Sequence, residues 1–167
     1  MNLYLMRHGL AVERGTAGYD SDRARPLTSK GKRTVRCAAA ALLKLNVSFD
    51  AILSSPLVRA RETADLLRDE MKFREKIQLT EHLSPGANAK SLVTLLQRLP
   101  GSPQEILLVG HEPDLSLLAA FLLEGGDGVT LVFKKSGLAK LAAEDLRPGR
   151  CAALEWLLTP RLIEMMA

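Results

Sequence analysis

Residues 3–9, LYLMRHG, run from a short apolar stretch straight into an arginine, a histidine and a glycine. A continuous run of apolar and aromatic residues of this length reads as a buried strand. Arg7, His8 and Gly9 then stand at its carboxyl end. In an open α/β sheet that end is where ligands bind, because loops and helix amino termini line the crevice there. An RHG triplet alone is as well read as ordinary polar residues leaving a strand, so its meaning depends on the rest of the chain.

Beyond residue 9 the elements alternate. A polar, glycine-containing loop at 13–27 leads to TSKGKRTVRCAAAALLKLN, where Thr28 is placed to cap a helix and Val35, Ala38, Ala39, Leu42 and Leu45 share one face. DAILSS reads as a second strand, and Pro56 suits the first turn of a helix in which Leu57, Ala60, Ala64, Leu67 and Met71 keep helical spacing. A third strand is expected near IQLTEHL, then the loop SPGANA and a helix with Leu92, Leu95, Leu96 and Leu99 on one side. EILLVG is the clearest strand. HEPD follows it, with Asp114 placed to cap the helix LSLLAAFLL; VTLVF, GLAKLAA and CAALEWLL then read as strands joined by turns. Strands alternating with helices predict an α/β fold, a mostly parallel central sheet flanked by helices on both faces, with a mixed edge made by the late strands. The 167 residues are expected to form one domain, 1–167.

Hydrophobic residues make up 47% of the chain and charged ones 25%, the balance of an ordinary soluble globular protein rather than a disordered one. The apolar run LSLLAAFLL falls short of the roughly 20 residues a membrane helix needs. Arg7 and His8 interrupt the opening stretch too early for a signal peptide, and Cys37 and Cys151 provide no disulfide framework. No membrane association and a cytoplasmic location are therefore expected. The net charge of +4 is uneven: residues 1–76 carry 15 Lys and Arg against 9 Asp and Glu, residues 77–167 carry 8 against 10. A basic half facing a cleft attracts anions. Nucleic acid is a poor candidate, since only 4% of residues are aromatic and no basic run is interleaved with stacking rings.

Three strands end in polar groups: LYLM in Arg7-His8-Gly9, DAIL in SSPLVRARET, and EILLV in Gly110-His111-Glu112. If they are parallel neighbours, one crevice receives two histidines and at least two arginines. Imidazole presents a free nitrogen lone pair near neutral pH. The arginine fork matches phosphate oxygens bidentately, and a helix amino terminus behind Pro56 adds partial positive charge. These groups together favour a transferring phosphoryl group. Ser54 and Ser55 could donate to it, although serines leaving a strand more often satisfy a turn.

The segments LYLMRHG, RPLTSKG, ILSSPLVRARETA, LSPGA and LLVGHEP, spread over most of the chain, resemble the histidine phosphatase superfamily, and within it the short bacterial phosphohistidine phosphatases of the SixA type. RHG, SSPLVRARETA and VGHEP in that order are the specific part. The resemblance implies a phosphoglycerate mutase-like fold and a nucleophile, His8, that forms a phosphohistidine intermediate which water hydrolyses. It implies that Arg7, Arg59 and His111 bind the phosphoryl oxygens, and that the chemistry uses no metal and no cofactor. Arg61 lies two residues beyond Arg59 and so points about 200° around the helix; it is expected at the surface. The partner implied is a phosphorylated histidine-containing phosphotransfer protein of a signalling or sugar-uptake relay.

The proton donor for the leaving group is less well placed. Glu81 is the first choice and His82 the second, and adjacent residues in an extended segment point to opposite faces. A protonated phosphoimidazole leaves without a strongly placed acid. The connection 72–90 has no room for a lid domain, so the site suits a phosphorylated side chain presented by another protein. The alternatives are a phosphatase or mutase of a small phosphorylated metabolite, and a non-catalytic domain that binds phosphohistidine and regulates a partner. A metal hydrolase using His8, His111, Glu112 and Asp114 is disfavoured because no paired-ligand spacing appears. Cys37 and Trp156 are expected to be packing residues.

Overall fold

The computed structural model describes residues 1–19 and 21–167. Its sheet is built from β1 (Asn2–Arg7), β2 (Ala51–Ser54), β3 (Gln78–Leu79), β4 (Glu105–Gly110), β5 (Leu138–Ala143) and β6 (Ala152–Leu158). The order across the sheet is β3-β2-β4-β1-β5-β6. The first four strands are parallel, and β5 and β6 close one side antiparallel. The helices are α1 (Ser29–Lys44), α2 (Val58–Glu70), α3 (Ala89–Leu96), α4 (Asp114–Glu124) and α5 (Pro160–Met166).

Both sheet faces are covered, which is why the central strands read as unbroken apolar runs rather than alternating ones. On β1, Leu3 and Leu5 point to the face packed by α3 and α4, while Tyr4 and Met6 point to the face packed by α1, α2 and α5. Trp156 joins the second cluster against Tyr4, ring centroids 5.9 Å apart, and Cys37 packs at its margin.

The start of α1 is fixed by its cap, the Thr28 hydroxyl accepting from the Gly31 amide. Gly31 also lets the helix lie against the segment after His8: a Cβ there would collide with the Leu10 carbonyl oxygen. The Leu10 oxygen in turn accepts from the Thr28 amide at 2.9 Å and hydroxyl at 3.1 Å. The backbone following the histidine is thereby tied to a helix.

Several local expectations change. VTLVF is not a strand: the Leu131 carbonyl accepts from the Ser116 hydroxyl, the Phe133 carbonyl accepts from Arg7, and Phe133 is buried. Its acceptors serve side chains instead of a ladder. The third strand shrinks to two residues because the chain turns into a 3-10 segment at Glu81–Leu83, where Thr80 accepts from the His82 amide. Pro56 lies outside α2, whose N-cap is Leu57. Asp114 is the first residue of α4 rather than its cap, and its Oδ1 accepts from the Gly86 amide. Leu45 ends α1 as an exposed C-cap, and Leu99 lies beyond α3. Helix α5, capped by Thr159 with Pro160 at its start, was not expected. Among the described residues no helix is long and apolar enough to cross a membrane.

Candidate active site

The three polar strand ends meet. The His8 amide bonds the Gly110 carbonyl at 3.1 Å and the Ser55 amide bonds the Val109 carbonyl at 3.0 Å, so the ends of β1, β2 and β4 are joined by backbone. On the other side the Arg7 amide reaches the Gly137 carbonyl at 3.1 Å. Above these ends is a cavity of about 290 Å³ whose wall includes Arg7, His8, Arg59, His111 and Glu112. A larger hollow, about 720 Å³, lies beside Met1 and Cys151 at the far end of β1 and contains no histidine. The smaller one is lined by His8 and His111.

His8 is 6% exposed. Its Nδ1 lies 2.7 Å from the Gly9 carbonyl oxygen. A carbonyl only accepts, so Nδ1 carries the proton and Nε2 keeps its lone pair. The Arg59 Nε donates to that Nε2 at 3.2 Å. The Gly9 amide donates to the Thr63 hydroxyl at 3.0 Å, and that hydroxyl donates to the Arg59 carbonyl at 2.7 Å. Thr63 therefore couples the loop after β1 to α2. No motif singled it out, although it lies four residues from Arg59 and so on the same helix face.

Arg59 is 4% exposed and uses its other two nitrogens on one residue of the 3-10 turn Asp22–Ala24. Nη1 donates to the Asp22 carbonyl at 2.7 Å and Nη2 to its Oδ2 at 3.0 Å. The other carboxylate oxygen of Asp22 accepts from Arg25 Nη2 at 2.7 Å and from Arg14 Nε at 3.1 Å. Burial alone would raise the carboxyl of Asp22. The bonds from Arg25 and Arg14 and the charge of Arg59 overcome it and bring it down to about 2. Asp22 thus marks an anion position between arginines, a role the polar loop 13–27 did not announce.

Arg7 donates through Nη1 to the Phe133 carbonyl at 2.8 Å, and its Nε has no partner among the described residues. The His111 ring is tilted against that of His8 with centroids 5.0 Å apart. Glu112, next to it, is anchored by the Ser116 hydroxyl at 2.6 Å, and burial pushes its carboxyl upward. Arg61 is exposed and pairs with Asp65 at 3.7 Å, on the far side from Arg59. Arg7, His8, Arg59 and His111 are thus brought together. Glu81 is not: it is exposed, pairs with Arg23 at 2.7 Å and accepts from the Ser84 hydroxyl at 2.5 Å, off the cavity wall. The physical reason is the 3-10 turn, which replaces the extended segment that would have projected one of Glu81 and His82 inward; His82 is exposed too.

Burial, reinforced by the neighbouring arginines and the other ring, lowers His8 to about 3; burial and the Arg59 charge lower His111 to about 4. Both rings are neutral at physiological pH. Their NMR signals are expected to remain those of neutral imidazole from about pH 8 down to about pH 5, where an ordinary histidine is mostly charged. A midpoint near 6.5 for either ring would show that its burial has been misjudged. Both histidines bind protons more weakly folded than unfolded. Their contribution to stability is therefore complete above about pH 6.5 and drains away as pH falls toward the folded values.

Comparison with known proteins agrees with this geometry. The family model described as histidine phosphatase superfamily (branch 1) matches residues 3–85. The phosphohistidine phosphatase SixA homolog of Haemophilus influenzae is 31% identical over 131 residues, 73% of this chain and 77% of that one. Phosphohistidine phosphatase SixA of Escherichia coli is 26% identical over 166 residues, 99% and 98% of the two chains. The solved structure of the protein histidine phosphatase SixA complexed with tungstate superposes with a TM-score of 0.84 at 24% identity, covering 96% of this chain and 98% of that one. Motif order, strand order and full-length likeness coincide, and the chain belongs to the histidine phosphatase superfamily as a phosphatase of the SixA type.

Proposed function

We propose that the protein hydrolyses phosphohistidine on another protein through a covalent phospho-His8 intermediate. The observation that carries this reading is the state of His8: Nδ1 is committed to the Gly9 carbonyl, and Nε2 offers a lone pair beside the Arg59 guanidinium. Nε2 attacks phosphorus as the substrate P–N bond breaks, and the departing imidazole keeps its own proton as a neutral group. Water then attacks phospho-His8, releases inorganic phosphate and restores the ring. Phosphoryl transfer of this kind depends on positioning and charge stabilisation. Arg7, Arg59 and His111 supply these, the anion now held by Arg59 being the Asp22 carboxylate. Glu81 has no step in this scheme.

The substrate class rests on access. Between α2 and α3 the chain builds only β3 and one 3-10 turn, and among the described residues no domain closes over the cavity. An uncovered site of this size admits a side chain from a phosphotransfer protein, whose own surface completes the binding. The test is phosphate release from a phosphohistidine peptide in excess EDTA, set beside a panel of sugar phosphates. Selective turnover of the peptide is expected. Selective turnover of the sugars would move the protein to the metabolite-directed phosphatases, and tight phosphate binding without any turnover would make it a binding domain.

A further inference from the structure

Ser55 follows β2, and its oxygen accepts from the Leu57 amide two residues on, as a serine in a turn does. It is fully buried, and its hydroxyl lies 2.9 Å from Nε2 of His111. The ring has two nitrogens, and the other one, Nδ1, is buried without a partner. Which of them carries the proton decides whether His111 can donate to a phosphoryl oxygen or can only repel it with a lone pair.

The surroundings of Ser55 determine the answer. The Leu57 amide donates to the Ser55 oxygen at 3.3 Å and occupies one of its two lone pairs. The hydroxyl hydrogen then has two possible acceptors, His111 Nε2 at 2.9 Å and the Ser84 oxygen at 3.5 Å. The second is beyond the O–H···O range of about 2.5–3.0 Å. Ser84 cannot donate back to Ser55, because its own hydrogen goes to the Glu81 carboxylate at 2.5 Å. If His111 carried its proton on Nε2, the Ser55 hydrogen would be left buried with no good acceptor among the described residues, an arrangement proteins avoid.

We propose that Ser55 is a positioning residue that fixes His111 as its Nδ1–H tautomer, so that Nδ1 donates to the phosphoryl group on or approaching His8. Glu81 takes the Ser84 hydrogen and so removes Ser84 as a competing donor to Ser55. The lowering of the His111 pKa to about 4 agrees with a neutral ring that has one nitrogen free to donate. The tautomer assignment stands on the hydrogen-bond geometry alone; its kinetic consequence rests on the phosphatase reading of the site.

The test uses the whole protein labelled with ¹⁵N-histidine. In the wild type, the His111 ring is expected to show a protonated Nδ1 and an unprotonated Nε2, and titration with inorganic phosphate is expected to shift Nδ1 more than Nε2. The opposite tautomer in the wild type overturns the proposal without any variant being made. In Ser55→Ala the Nδ1–H preference is expected to collapse toward a mixture, and kcat on a phosphohistidine peptide to fall about tenfold or more with KM little changed. Ser55→Cys, close in volume but a poor donor, is expected to behave like Ser55→Ala. An unchanged tautomer in a folded Ser55→Ala overturns the proposal. If the tautomers behave as expected while no phosphoramidate is turned over by the wild type, the positioning role stands and the substrate reading fails.

Discussion

Replacing His8 with alanine is expected to lower phosphate release from a phosphohistidine peptide by about 10⁴-fold or more. The loss is that large because the arginines remain and can still bind the phosphoryl group, yet among the described residues the second ring in the cavity, His111, has its Nε2 at Ser55 and does not accept from Arg59. Brief incubation of the wild type with labelled substrate followed by alkaline quenching is expected to leave label on the protein, the behaviour of a phosphoramidate, and His8→Ala is expected to carry none. The side chain bonds only to the adjacent Gly9 carbonyl and to Arg59, so the variant keeps its fold, with a stability change of about 1–2 kcal/mol readable by thermal denaturation. Residual activity within tenfold of the wild type would place the nucleophile elsewhere.

The second large effect is at Arg59. Arg59→Lys is expected to lose about 10²–10³-fold in kcat/KM although the charge is kept. The planar fork serves three acceptors at once, His8 Nε2, the Asp22 carbonyl and the Asp22 carboxylate. An ammonium on a flexible stem holds a point charge and cannot keep that geometry. The control is two residues away: Arg61→Ala, which removes only an exposed pair with Asp65, is expected to stay within about twofold. Equal losses at the two positions would mean that α2 contributes net charge to the crevice and no oriented donor.

The central strands, and the positions of Arg7, His8 and His111 just beyond them, were readable in the sequence because each rests on a strong local rule, whereas the choice of Arg59 over Arg61 rests on the family resemblance. Unbroken apolar runs mark strands buried on both faces, and such strands deliver their next residues to one edge of the sheet. The rest depends on contacts that no local pattern encodes. VTLVF has the composition of a strand, but the carbonyls of Leu131 and Phe133 are claimed by Ser116 and Arg7. Asp22 looks like any loop carboxylate until the fold sets three arginines around it. Ser55 sits in a motif whose roles are otherwise clear, and its function becomes visible only when His111, more than fifty residues away, turns Nε2 toward it. The position of Glu81 off the cavity wall was not legible, because it depends on whether two or four residues continue β3, a boundary that short edge strands leave open.

The two sides of the cavity differ in how they are held. β1 is paired along its length on both sides, with β4 and with β5, and its amides are expected to exchange with solvent only when the whole molecule opens. His8, the proposed nucleophile, is carried one residue beyond that strand. The loop that brings Asp22 is closed at its base by the Val12 amide on the Pro26 carbonyl at 2.9 Å and held by side chains, Glu62 to the Leu27 amide at 2.7 Å and Arg25 to the Val12 carbonyl at 2.6 Å. It can exchange by local opening while the sheet stays closed. Heat or denaturant would therefore release the Asp22 carboxylate from Arg59 first and leave His8 in register, so that the proposed nucleophile outlives the loop beside it and is lost only with the fold.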